Sequence, residues 1–65
     1  MGFEKRVLEV VKDVIGAEVG SFTCGSLFVE CNIAEAIRLE SALLETFRCG
    51  IILSRVGNES SFDFV

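Results

Sequence analysis

The sequence predicts an α+β fold in which two helices pack on one face of a four-stranded, mainly antiparallel sheet. Two segments show helical periodicity, and each is followed by two short β-prone segments separated by a turn signal, in the order αββαββ. Each helix carries an apolar stripe, and one face of a sheet can cover both stripes. At 65 residues, the chain is expected to form one small domain over residues 1–65.

The first helix is predicted from Phe3 to Ile15. Its apolar residues recur at helical steps of four, three, one and three, while charged residues occupy the opposite side. Gly16 is expected to end this helix. The apolar positions are Phe3, Val7, Val10, Val11 and Val14.

A hairpin is predicted next, with strands over Glu18–Thr23 and Ser26–Cys31 and a tight turn at Cys24-Gly25. In the second strand, apolar residues alternate with other residues, as they do in a half-buried strand. The expected cross-strand pairs are Thr23 with Ser26 and Phe22 with Leu27.

The segment from Asn32 to Phe47 is the strongest predicted helix in the chain. Asn32 is a favourable N-cap, and Glu35 stands three residues later, which is the spacing of a capping box. Gly50 lies just beyond the expected end, where glycine can adopt the left-handed conformation that stops a helix.

Two further strands are predicted after this helix, over Gly50–Val56 and Ser61–Val65, with a turn at Gly57–Ser60 between them. The printed sequence ends within the last strand, so this strand is expected to be an exposed edge of the sheet. An exposed edge can accept a strand from another chain, which would make the Phe62–Val65 segment an assembly site.

Glu40 interrupts the pattern of the second helix, because it falls near the centre of the apolar arc. No basic residue lies three or four positions from it on the helix, so no local ion pair offsets its burial. Two interpretations stay open. Glu40 could lie at a seam between one face packed on the sheet and one packed on the first helix, and reach water or a basic side chain. Alternatively, it could occupy an apolar groove that binds a cation or a partner's Arg or Lys. Catalysis by Glu40 would need a second titratable group beside it.

Composition indicates a surface that stays apolar after folding. Hydrophobic residues make up 51% of the chain, and its mean hydropathy is +0.55. A chain this short buries only about 60% of its unfolded surface, so we expect an exposed apolar patch that serves a dimer or a partner. No apolar run reaches the eighteen residues of a membrane span, and MGFEKRVLEV lacks a signal-peptide core. We therefore expect a cytoplasmic protein without membrane contact.

The net charge of −4 arises entirely from Glu18 onward, where seven acids face three bases. An acidic surface argues against direct nucleic-acid binding, which needs basic residues to neutralise phosphates. It suits a partner with a basic surface, including one that normally binds nucleic acid.

Residues that usually carry chemistry are few. The chain has no His, Trp or Tyr, and its glycines form no phosphate-binding motif. Its three cysteines are too few for a single-chain zinc site, and Cys24 and Cys31 are expected at opposite ends of a strand, too far apart for a disulfide. We therefore expect that the protein is not an enzyme and that it binds no metal ion and no cofactor.

The leading hypothesis is a non-catalytic, acidic protein-interaction module that binds a larger protein with a basic surface. Its size and charge would suit a small inhibitor of a nucleic-acid-handling enzyme, of the type phages direct against host defence. The alternative is a homodimeric small-ligand or cation-binding protein centred on Glu40. The candidate partner-binding residues are Glu35, Glu40, Glu45, Phe62 and Phe64.

Overall fold

The computed structural model describes residues 2–16 and 20–65 and confirms the predicted α+β class and element order. The elements are α1 (Gly2–Ile15), β1 (Gly20–Thr23), β2 (Ser26–Glu30), α2 (Ile33–Phe47), β3 (Ile51–Val56) and β4 (Glu59–Phe64). The first two residues of the predicted first strand, Glu18 and Val19, lie outside the described residues.

The four strands form one antiparallel sheet in the order β1-β2-β4-β3. Each αββ half contributes one hairpin, and the pairing of β2 with β4 joins the two halves at the centre of the sheet. The prediction that the last strand is an edge is therefore wrong. β4 forms ladders on both sides, with Phe62 opposite Leu27 on β2 and opposite Leu53 on β3. The edges of the sheet are β1 and β3.

Both hairpins have two-residue turns. Cys24 (φ 54°) and Gly25 (φ 79°) both adopt positive φ, as the tight turn of a twisted hairpin requires. The predicted pairs, Thr23 with Ser26 and Phe22 with Leu27, are confirmed. The second turn is shorter than predicted, because Val56 pairs directly with Glu59 and β4 therefore begins two residues earlier than expected.

The core lies between the sheet and the two helices. Alternate residues of β2, β3 and β4 are more deeply buried and face the helices, so a single sheet face covers both apolar stripes. The fully or nearly fully buried apolar residues are Val7, Val11, Leu27, Val29, Cys31, Ala36, Leu39, Leu43 and Phe62.

The two ends of α2 were not predicted equally well. The capping box is present, since the Glu35 N–H donates to Asn32 Oδ1 (2.8 Å) and the Asn32 N–H donates to Glu35 Oε1 (3.0 Å). Gly50 does not stop the helix as predicted. Arg48 directly follows α2, and its φ of 58° reverses the chain. A Cβ at position 50 would lie 2.8 Å from Val65 Cγ2, a contact that a shift of this exposed side chain can relieve.

Replacing Arg48 with glycine is expected to stabilise the protein. Glycine adopts positive φ without the steric penalty of a Cβ atom, so Arg48→Gly should raise the free energy of unfolding by about 0.5–1 kcal/mol. Urea denaturation measures this change. Arg38→Gly is the matched control, because a glycine within α2 should destabilise by about 1 kcal/mol. A loss of stability in both variants would contradict the role assigned to Arg48.

Candidate functional site

Only part of the apolar arc of α2 is covered by the rest of the protein. Ala36, Leu39 and Leu43 are fully buried beneath the helix. Ile33, Ile37 and Leu44 retain 55%, 53% and 40% of their accessible surface, although they also belong to the predicted arc. Together with Glu40 they form a surface that we call the α2 stripe, defined as Ile33, Ile37, Glu40 and Leu44.

The α2 stripe is continuous along the helix. Its four residues lie at positions i, i+4, i+7 and i+11, which places them within about 60° of one another around the helix axis. At 1.5 Å per residue they extend about 16 Å along α2. The stripe points roughly 100° away from the direction of the buried residues, so it flanks the core and remains open to a partner.

Glu40 is the only charged member of the stripe, and it is half-buried. The residues one turn before and after it are Ala36, Ile37, Leu43 and Leu44, all apolar. Within residues 2–16 and 20–65, no hydrogen bond or ion pair involves its carboxylate. The site therefore consists of the Glu40 carboxylate, which can accept hydrogen bonds, with aliphatic side chains on either side of it along the helix.

The other two candidate glutamates do not join Glu40. Glu35 is half-buried and its carboxylate accepts the Asn32 N–H in the capping box, so it has a structural role. Glu45 is exposed. Each is five positions from Glu40, which corresponds to about 140° around the helix. The three carboxylates therefore do not form one acidic patch.

The two candidate phenylalanines also lie elsewhere. Phe62 is fully buried at the centre of the sheet. Phe64 is half-buried in a cluster of rings with Phe3, Phe22 and Phe47, in which the ring centroids are 5.0–6.1 Å apart. Because β4 is an interior strand, neither ring forms the exposed edge on which the assembly hypothesis depended.

Sequence reasoning missed Arg55, which connects three parts of the fold. Its Nη1 donates to the Cys31 carbonyl (2.8 Å) and to Ser60 Oγ (2.6 Å), and its Nη2 donates to the Gly57 carbonyl (3.2 Å). The Cys31 N–H in turn donates to the Asn58 carbonyl (2.8 Å). These bonds fix the start of α2 against the β3–β4 turn. The sequence did contain a signal for this residue. The period of two along a strand places Arg55 on the same face as the apolar Ile51 and Leu53, which indicates that Arg55 is partly buried and needs hydrogen-bond acceptors.

The described part of the chain contains no group of three metal-ligating side chains, and none of its helices is long and apolar enough to cross a bilayer. Cys24, Cys31 and Cys49 are free thiols. Comparisons with protein-family models, curated proteins and solved structures found no match for the chain. The candidate function therefore depends on the geometry of the α2 stripe.

Removing the guanidinium of Arg55 should destabilise the protein. Arg55→Met retains most of the aliphatic stem but removes the guanidinium donor from the Cys31 carbonyl, and it leaves the Ser60 hydroxyl with the weaker Cys31 thiol as donor (3.6 Å). We therefore expect a loss of about 2–3 kcal/mol in the free energy of unfolding. Urea denaturation measures it. Arg38→Met on the exposed side of α2 should change stability by less than about 0.5 kcal/mol. Equal effects of the two substitutions would show that the Arg55 network contributes little.

Proposed function

We propose that this protein is a non-catalytic interaction module that docks a larger protein through the α2 stripe. The observation that supports this proposal is the exposure of three large aliphatic side chains at helical spacing around a half-buried carboxylate. Large apolar side chains exposed together on one surface of a small protein are typical of an interaction site. An amphipathic helix that binds in an apolar groove of a partner also uses exposed apolar residues three or four positions apart, as in the stripe.

The apolar members of the stripe provide the driving force for docking. Fully burying a Leu or Ile side chain contributes about 1.5–3 kcal/mol. Ile33, Ile37 and Leu44 are already about half covered, so complete burial of each would add about 1 kcal/mol. This gain is sufficient for a moderate-affinity contact once neighbouring surfaces join it.

Glu40 determines which partner fits. A carboxylate that loses its remaining water on docking must be paired, because an unpaired charge in an apolar interface is strongly unfavourable. A partner that places an Arg or Lys opposite Glu40 meets this requirement. A second copy docked through the same stripe would bring two Glu40 carboxylates close together. The stripe therefore favours a different protein with a basic surface. Glu45, although it lies outside the stripe, adds to the long-range attraction of such a partner.

We further propose that the partner is a cytoplasmic nucleic-acid-handling enzyme and that the module inhibits it. This form is supported by composition alone: the net charge is −4, and all of the excess acid follows Ala17. Three free thiols fit a reducing compartment. The alternative of a cation site at Glu40 has little to support it, since Glu40 does not belong to a group of three ligands among the described residues.

Binding through the stripe is tested by comparing two isoleucines of equal exposure. Ile37 in the stripe is 53% exposed and Ile52 on the open sheet face is 55% exposed. A protein captured from cell extract should be lost with Ile37→Glu and with Glu40→Lys but retained with Ile52→Glu. Titration of the purified partner should show at least a tenfold weaker Kd for both stripe variants. Undiminished binding by Ile37→Glu and Glu40→Lys would refute docking through the stripe.

Replacing Glu40 with leucine separates its role in folding from its role in binding. Glu40→Leu removes a half-buried charge from an apolar setting, so the free energy of unfolding should rise by about 0.5–1 kcal/mol. Binding to the basic partner should weaken at the same time, because the ion pair is lost. If affinity stays unchanged while stability rises, Glu40 is a seam residue that the fold merely tolerates. For the wild type and Glu40→Leu, scanning calorimetry measures the free energy of unfolding and titration calorimetry measures the affinity for the partner.

A further inference from the structure

The strand β3 has backbone groups that β4, its one neighbour among the described strands, does not use. β3 pairs with β4 on one side and forms an edge of the sheet on the other. Val56 and Glu59 flank the two-residue turn, so they form a hydrogen-bonded pair, and such pairs recur at every second residue of an antiparallel ladder. The outward-pointing N–H and C=O groups are therefore those of Ile51, Leu53 and Arg55.

This edge has few of the features that usually prevent strands from pairing, and its one inward-pointing charge is already bonded within the chain. β3 has six residues and no proline. Its one charged side chain, Arg55, faces the helices and donates to oxygens of its own chain, including Ser60 on β4. On the open face of the sheet, Ile52 is 55% exposed and Val56 is 83% exposed.

We propose that β3 pairs with β3 of a second copy, antiparallel and centred on Ser54, to give a continuous eight-stranded sheet. On β3, only the odd-numbered residues have backbone N–H and C=O groups that point outward. An odd-numbered residue of one copy must therefore lie opposite an odd-numbered residue of the other. That rule also keeps all four helices on the same side of the joined sheet.

Side-chain complementarity selects the register centred on Ser54. In this register Ile52 lies opposite Val56 of the second copy, and the two-fold axis repeats the pair. The two adjacent allowed registers are centred on Leu53 and on Arg55, and both place Ile52 and Val56 opposite glycine or polar residues. Only the register centred on Ser54 pairs Ile52 of one copy with Val56 of the other, so that both exposed apolar residues of each strand gain an apolar partner.

Charge and shape also fit a second copy at this edge. The chain has a net charge of −4, yet β3 carries no acid, and the nearest acids of the sheet, Glu59 and Asp63, lie one strand away. A depression of about 140 Å³ adjoins the edge on the open face. Ile52 of the second copy, being opposite Val56, would border this depression. The lining residues are Phe28, Ser54, Val56, Glu59 and Ser61.

Disulfide trapping tests both the pairing and its register. In a Cys24→Ser, Cys49→Ser background, Ser54→Cys places two thiols directly opposite each other, within disulfide reach. Oxidation should convert at least half of this variant to a covalent dimer. In the same background, Ile52→Cys should remain monomeric, since the two thiols lie four positions apart, about 13 Å. Equal cross-linking of both variants, or of neither, would overturn the proposal.

Light scattering on the protein without added cysteines provides a second test. The wild-type mass should double as concentration rises, whereas Val56→Lys should weaken self-association at least tenfold. Ile37→Glu should leave the dimer unchanged, because the α2 stripe lies on the helix side of the sheet. A wild-type protein that stays monomeric at about 1 mM, or a dimer lost with Ile37→Glu but not with Val56→Lys, would refute pairing through β3. A monomeric wild-type protein would leave partner binding by the stripe unaffected. A dimer lost with Ile37→Glu would instead show that the α2 stripe binds a second copy, which would also contradict the proposed function.

Discussion

The antiparallel pairing of β2 with β4 is the interaction on which the rest of the structure depends. It joins the two αββ halves, each of which alone would be a helix lying on a two-stranded ribbon, an arrangement with too little apolar surface to be stable. Leu27 and Phe62 are directly opposite each other in this pairing, and both are fully buried. Their side chains form the centre of the surface on which α1 and α2 pack. Loss of this pairing would remove the common support of both helices.

A sheet of four short strands can cover only part of two amphipathic helices, and the surface of the protein follows from that limit. The apolar arc of α2 is wider than the area the sheet and α1 can cover. Ala36, Leu39 and Leu43 occupy the covered part, while Ile33, Ile37 and Leu44 remain outside it. Exposed apolar surface is therefore a consequence of this architecture, and Glu40 gives that surface a chemical preference.

The sequence contained enough information for the element order and the first hairpin, but not for the order of the strands. Helical periodicity, the Asn32 cap and the Cys24-Gly25 turn are local signals, and each predicted its element. The position of β4 depends on which strand of each hairpin pairs at the centre of the sheet. That pairing places Phe62 between Leu27 and Leu53, a tertiary contact that local signals do not show. The position of Glu40 was readable from the helical wheel, whereas the exposure of Ile33, Ile37 and Leu44 depends on tertiary packing. Arg55 was missed because its acceptors come from the β2–α2 junction and the second turn.

The central location of β4 also has a consequence for the order in which the protein can fold. β4 is the last strand in the sequence, yet it separates β2 from β3 in the sheet. Its pairs with β2 join residues 29 to 37 positions apart, and such non-local contacts form slowly because a long loop must close first. Until β4 pairs, the edges of β2 and β3 that it covers keep unpaired backbone groups. Unpaired strand edges make a partly folded chain prone to aggregation, so the stage before β4 pairs is the stage at which we expect this protein to aggregate most readily.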